Sequence, residues 1–238
     1  MTCKVFEAPV FSEVFENAIR PGGLAVTAHA MEICQFEKKA RLLDVGCGCG
    51  TTVEYLETNF DISAVGIDSS KVLLKRGKDR NPKLNIVYGD GELLEFSSFS
   101  FDGVFMECSL SLFENKTEAL HEAYCVLKKG GKLIISDFYL RDSNKNVEGD
   151  NGQVKTCISG AFVLSELNDL LSELGFRIIL WEDKTAELKS FMASMIMHYG
   201  SMENFYPSVL KEEKDALHFA EMIKQKKPGY FLLIAAKP

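Results

Sequence analysis

Residues 42–50 read LLDVGCGCG, and TTVEYLETNF follows at 51–60. A short apolar run reaches an acid, Asp44, and then breaks into glycines at 46, 48 and 50. Glycine lets a backbone approach a ligand with no Cβ in the way. A helix that starts just beyond offers free N–H groups and a partial positive charge to a carboxylate or phosphate. The stretch therefore predicts the turn from a parallel strand into a helix, at the strand end where open α/β sheets bind their ligands. Cys47 and Cys49 stand between the glycines, and two readings follow: a thiol site, or small residues filling a glycine loop.

Working outward, the chain alternates strand and helix patterns. The runs at 41–45, 62–68, 84–90, 101–107 and 131–139 are short, partly β-branched or aromatic, and bounded by turn residues. That suits buried parallel strands. Between them, Leu120, Ala123, Tyr124 and Leu127 recur at helical spacing, with Thr117 as an N-cap and Gly130 as the closing glycine. Residues 165–175 repeat the pattern, with Ser165 as the cap and Gly175 as the stop. The alternation predicts a doubly wound α/β sheet with right-handed crossovers. FRIILWED (176–183) and GYFLLIAA (229–236) read as the last two strands, and the Asn-, Asp- and Gly-rich stretch 141–155 reads as a mobile loop.

The glycine spacing separates two kinds of nucleotide fold. A dinucleotide loop, G-x-G-x-x-G, would need glycine at 51, where the chain has Thr51. A nicotinamide-dependent oxidoreductase is disfavoured on that ground. The chain instead has G-x-G-x-G with Asp44 two residues before it. Asp68 ends the second strand, and YGDGELLEF follows at 88–96, FSFDGVFMECSLSLF at 99–113 and AYCVLKKGGKLIISDF at 123–138. In order and spacing these pieces resemble the motifs of the class I S-adenosylmethionine-dependent methyltransferases. The similarity is strongest to the group that includes the ubiquinone/menaquinone-biosynthesis enzymes, and it covers roughly residues 40–140.

The resemblance implies a Rossmann-like fold: a mostly parallel seven-stranded sheet, helices on both faces and an antiparallel last strand. It implies S-adenosyl-L-methionine as cofactor, S-adenosyl-L-homocysteine as product, and a small-molecule methyl acceptor. The cofactor set it implies is Arg20 (in the RPGG of 20–23), Asp44, Gly46, Cys47, Gly48, Asp68, Ser69, Asp90, Gly91, Glu92 and Glu107. Asp68 would accept from the ribose hydroxyls. Asp90 and the Gly91 N–H would meet the adenine, and Arg20 the methionine carboxylate. Many members have Cys at 47 and Thr or Ser at 49, so the loop thiols read as packing residues. The alternatives are a thiol-assisted metalloid methyltransferase of the arsenite kind and a non-catalytic cofactor-binding regulator. Catalytic candidates are Glu107, Tyr139, His198 and Tyr199. No metal is expected, since His29, His121, His198 and His218 form no ligand spacing.

Composition narrows the partners. A net charge of −7 and a pI near 5.3 disfavour nucleic acid and anionic membrane surfaces. No run is long enough to span a bilayer, and the first residues predict no signal peptide. Seven irregularly spaced cysteines suit neither a disulfide framework nor a zinc pattern, and point to a reducing, cytoplasmic setting. The expectation is a monomer or homodimer built as one domain over 1–238. Its parts are an N-terminal helical cap (1–40), a cofactor-binding core (41–183), a helical insertion (184–228) and a last strand (229–238). In the insertion Leu188, Phe191, Met192, Met195, Ile196 and Tyr199 form an apolar helical stripe with His198 at its edge. That stripe predicts a substrate cap, with Met195, His198 and Tyr199 lining a pocket beside Glu107 and Tyr139.

Overall fold

The computed structural model describes residues 4–8, 19–141, 156–209, 220 and 223–238. The expected mobile loop falls almost wholly on 142–155, outside the described residues. Seven strands form one sheet: β1 (Arg41–Val45), β2 (Ser63–Asp68), β3 (Ile86–Tyr88), β4 (Phe101–Glu107), β5 (Leu127–Leu140), β6 (Arg177–Asp183) and β7 (Pro228–Ala236). Their order is β3-β2-β1-β4-β5-β7-β6. β1 to β5 pair in parallel, while β7 runs antiparallel between β5 and β6. The order reverses on either side of β1, and the crevice between β1 and β4 is the switch point where such sheets bind ligands.

The described helices are α1 (Gly23–Cys34), α2 (Thr51–Phe60), α3 (Lys71–Arg80), α4 (Lys116–Val126), α5 (Leu164–Glu173), α6 (Thr185–Tyr199) and α7 (Met202–Val209). Strand side chains alternate between two cores. Leu42, Ala64 and Phe105 pack with Val26 and Ala30 of α1, Val53 and Leu56 of α2, and Leu74 of α3. Leu43, Val65, Val104 and Met106 pack on the other face with Leu120 and Ala123 of α4 and Leu167 and Leu171 of α5. Helices thus cover both faces, as a near-continuous apolar strand pattern requires.

The boundaries differ from the sequence reading in physical detail. α4 is capped by Asn115, whose side chain accepts from Glu118 N at 3.0 Å, so Thr117 falls inside the first turn. The helix ends at Val126. β5 begins at once because Leu127 pairs with Phe101 of β4, and Gly130, at φ +75, takes the expected left-handed turn with its N donating to Lys237 O at 2.7 Å. Ser165 lies inside α5 rather than at its cap, and Gly175 closes the segment with φ +89.

Candidate active site

A cleft opens beyond the carboxyl ends of β1, β2 and β4. It is lined by the Gly46–Cys49 loop, by Asp68 and Ser69, by Asp90 to Glu92, and by Glu107 to Ser109. Phe113 closes one side, and Phe6, Ile19 and Arg20 of the N-terminal segment close another. Gly46 has φ +82, and a Cβ there would collide with Ser109 Cβ. Only glycine permits both the backbone turn and the close approach of the β4 end. Gly46 N and Cys47 N donate to Ile67 O at 2.8 and 3.1 Å, which fixes the loop against β2.

Asp68 is pinned in this cleft. Its carboxylate accepts from Gly48 N at 2.8 Å and Ser70 N at 2.7 Å. Burial pushes its pKa up, and the two backbone N–H groups oppose that shift. The N-terminal 3-10 turn, Lys4–Glu7, is clipped to the same corner: Ser70 Oγ donates to Glu7 Oε1 at 2.7 Å, and Arg76 donates to Glu7 O at 2.7 Å. That contact brings Phe6 to the cleft. Asp90 turns its chain locally by accepting from Glu92 N at 3.0 Å, and Glu92 in turn accepts from Glu114 N at 2.7 Å.

The opposite wall is a buried ionic network. Arg20 Nη2 pairs with Glu107 Oε2 at 2.8 Å and donates to Thr27 Oγ1 at 2.6 Å and Thr52 Oγ1 at 3.0 Å. Both threonine hydroxyls also donate to Glu107, Thr27 at 2.9 Å and Thr52 at 3.1 Å. Burial is the largest single influence and works against the Arg20 charge, but Glu107, Tyr230, Asp44 and Cys108 together outweigh it, so the guanidinium pKa is raised. Arg20 Nε is buried with no partner among the described residues, an orphaned donor on a residue of the cleft wall. Asp44 lies behind the glycine loop, 4% exposed and not among the lining side chains. Burial first, then the negative charges of Glu107 and Asp68, push its pKa up to about 8, with Arg20 opposing.

Arg20, Gly46, Cys47, Gly48, Asp68, Ser69, Asp90, Gly91, Glu92 and Glu107 therefore all line one cleft. Four residues expected at the pocket lie away from it. Tyr139 is not at the cleft: it is buried edge-on to Trp181 and Phe231, and its hydroxyl is committed to Asp183. His198 and Tyr199 are also absent from the lining. α6 packs Leu188 against Phe138 and Tyr230 of the sheet, and Met195 is also buried. His198 is left exposed, and Tyr199 stacks against Phe205 of α7 at 5.4 Å. Met195 is 1% exposed, a core residue rather than a pocket wall. Within the cleft, Glu107 is held by three donors and is not poised to accept a proton from a substrate.

The two loop thiols sit differently, and only Cys47 packs into the core. Cys47 crowds Gly66 of β2, where a Cβ would lie 2.7 Å from its Sγ, and burial raises its pKa well above the ordinary thiol value. Cys49 is half-buried, with its pKa likewise raised by burial. Sequence reasoning missed Phe6, Phe113, Thr27 and Thr52. Phe113 ends the 99–113 motif but carried no role there; Phe6, Thr27 and Thr52 belong to none of the quoted motifs, though Thr27 stands seven residues after Arg20. It also missed Cys157, which the fold brings beside Cys108 and Asp137.

Comparison with known proteins gives the geometry a context. Residues 43–135 match the model of a methyltransferase domain. An O-methyltransferase of Pyrenophora dematioidea is 28% identical over 207 residues, covering 82% of this chain and 74% of that protein. A demethylmenaquinone methyltransferase of Renibacterium salmoninarum is 38% identical over 99 residues, 41% of each chain. The crystal structure of a Haemonchus contortus phosphoethanolamine N-methyltransferase, in complex with phosphomonomethylethanolamine and S-adenosylhomocysteine, superposes with a TM-score of 0.76 at 21% identity. It matches over 98% of this chain and 57% of its own length, and shares the fold. The chain thus spans most of the first relative and about half of the other two. Among the described residues, no helix is long and apolar enough to cross a membrane.

Proposed function

Since the chain belongs to the class I S-adenosylmethionine-dependent methyltransferases, we propose that it moves the cofactor's methyl group onto a small-molecule acceptor by in-line displacement. The observation that carries the reading is the convergence of the glycine loop, Asp68 and Asp90 on one cleft. The donors and acceptors there suit the cofactor. Asp68 is fixed to accept from ribose hydroxyls, and Asp90 with Gly91 N–H lies at the end assigned to adenine. The orphaned Arg20 Nε offers a donor to the methionine carboxylate. A bidentate arginine contact is not open to it, because Arg20 Nη2 is already spent on Glu107, Thr27 and Thr52.

The bound cofactor supplies a methyl group on a sulfonium, already a good leaving group. The chain supplies alignment, which in well-oriented reactions is worth up to about 7–11 kcal/mol. Arg20 and Glu107 tie α1 to the ends of β4 and α2, so the N-terminal segment closes the cleft and excludes water. In this reading the N-terminal part of the chain forms the cap, and Leu188 and Met192 of α6 pack in the same cluster as its Phe6. The acidic charge favours a small acceptor over nucleic acid. The thiol state of the six described cysteines suits a reducing, cytoplasmic compartment.

The pH dependence of binding follows from Asp44. With its pKa near 8, the ligand-free carboxyl holds its proton at neutral pH. A cationic ammonium or sulfonium beside it favours the carboxylate and lowers that pKa, so binding expels a proton. Affinity then rises with pH, by at most about tenfold per unit, and levels off above about 8. Calorimetric titration in buffers of different ionisation enthalpy measures the released proton, and Asp44→Asn abolishes it. The activity itself is tested by incubating the chain with methyl-labelled S-adenosylmethionine and a panel of small oxygen, nitrogen, sulfur and carbon nucleophiles. Label in an acceptor, with matching S-adenosylhomocysteine, is the expected result. Tight cofactor binding with no transfer to any acceptor class would favour the regulator reading.

A further inference from the structure

At the end of β4 the chain takes a turn that ordinary residues avoid. Cys108 has φ +52, the left-handed region, and lines the cleft beside Glu107. A non-glycine residue held there is a strained position kept by its surroundings. Cys108 N is fixed to Ser136 O at 2.8 Å, and its thiol lies 3.4 Å from the Tyr230 hydroxyl, which donates to Ser136 Oγ at 3.0 Å. A second thiol arrives from a remote segment: Cys157 Sγ donates to Cys108 O at 3.2 Å. Cys108 Sγ, Cys157 Sγ and an Asp137 carboxylate oxygen all lie within 4.8 Å of one another.

The segment carrying Cys157 is locked in place. Phe162 N donates to Phe138 O at 3.0 Å, and Leu140 N to Phe162 O at 2.8 Å. Gly160 presses so closely on Ser111 O that a Cβ there would overlap it. The walls around the thiols are apolar, with Phe138, Leu188, Leu112 and Met192 in contact.

We propose that Cys108 and Cys157 form a dithiol site at the inner end of the cleft that captures a trivalent, thiophilic metalloid centre of the arsenite or antimonite kind. The donor count favours that class over zinc. A structural zinc site wants four nitrogen or sulfur ligands, whereas the described residues offer two sulfurs and one carboxylate. Asp137 is moreover engaged by Ser111 N, Ser111 Oγ and Phe138 N at 2.8–2.9 Å. A pyramidal trivalent centre is satisfied by two sulfurs and one further substituent. With a monosubstituted arsenical, R–As(OH)2, two As–O bonds break and two As–S bonds form. The two thiol protons leave in two waters, and nothing is oxidised or reduced. The loop pair, Cys47 and Cys49, belongs to no such group among the described residues. The site goes beyond the methyl-transfer reading and is independent of it, because capture needs no cofactor.

The test uses phenylarsine oxide with the full chain and no cofactor, read by native mass spectrometry. One phenylarsenic adduct per chain is expected, surviving excess monothiol and released by a small dithiol. Because closing the ring makes the second As–S bond intramolecular, either Cys108→Ser or Cys157→Ser should weaken retention by about 100-fold or more. Cys125→Ser, on α4, should leave it unchanged. Anomalous diffraction from wild-type crystals carrying the adduct avoids any folding defect of the variants. An arsenic peak bonded to both sulfurs supports the site. A peak at any other cysteine, an adduct retained by the Cys108→Ser/Cys157→Ser double variant, or zinc bound in preference to the arsenical overturns it. An adduct on a chain that transfers no methyl group would leave this site standing and remove only the proposed activity.

Discussion

Asp68→Ala is expected to weaken S-adenosylhomocysteine binding by at least about 100-fold. The carboxylate makes two kinds of contact. It accepts from Gly48 N and Ser70 N, which ties the glycine loop to the start of α3. In the proposed complex it also accepts from the ribose. Hydrogen bonds to a charged group are worth about 1.5–3 kcal/mol each. Losing two toward the ligand therefore costs about 3 kcal/mol or more, which is a factor of about 100. Asp68→Asn retains one acceptor oxygen and should fall between the two. Calorimetric titration measures the series. Wild-type affinity in a folded Asp68→Ala chain would remove Asp68 from the site.

Arg20→Met is expected to lower the melting temperature by about 10 °C. Removing one partner of a buried ion pair leaves the other charge uncompensated, at about 3–5 kcal/mol. In a chain of this size each kcal/mol shifts the midpoint by about 2–4 °C. Glu107, with its side chain 3% exposed, would be left with only the Thr27 and Thr52 hydroxyls. Removing both charges, as Arg20→Met/Glu107→Leu, should recover at least half of the loss. A scanning-calorimetry midpoint for Arg20→Met within a degree or two of wild type would mean that the pair does not tie α1 to the sheet. A double variant less stable than Arg20→Met would mean that the uncompensated charge is not the cause.

Much of the fold was legible in LLDVGCGCG and in the runs that follow it. Apolar strands with an acid at their ends and glycines beyond carry a local signal, and each strand was placed to within a few residues. The exceptions have local causes. β5 starts early because Leu127 pairs with Phe101 of β4, a contact that no local pattern announces. The glycine-loop side of the cleft was legible because its residues sit at strand ends, where the sheet order alone brings them together. The parts behind it were not: Phe6, Thr27, Ser111 and the Cys157 segment are placed by packing between distant parts of the chain. The stripe on α6 was read correctly as apolar, but periodicity says that a face is buried and not what buries it. Here only Leu188 and Met195 of the stripe are buried, Leu188 against Phe138 and Tyr230, while Ile196 and His198 are exposed.

The central claim is that one cleft, beyond β1, β2 and β4, holds S-adenosylmethionine. The crystal structure of the chain with S-adenosylhomocysteine measures this directly. The account predicts the ribose hydroxyls on Asp68, the adenine between Asp90 and Phe113, and the homocysteine carboxylate within hydrogen-bonding reach of Arg20 Nε. Density for the ligand elsewhere, or an adenosyl group that makes no contact with Asp68, would contradict it.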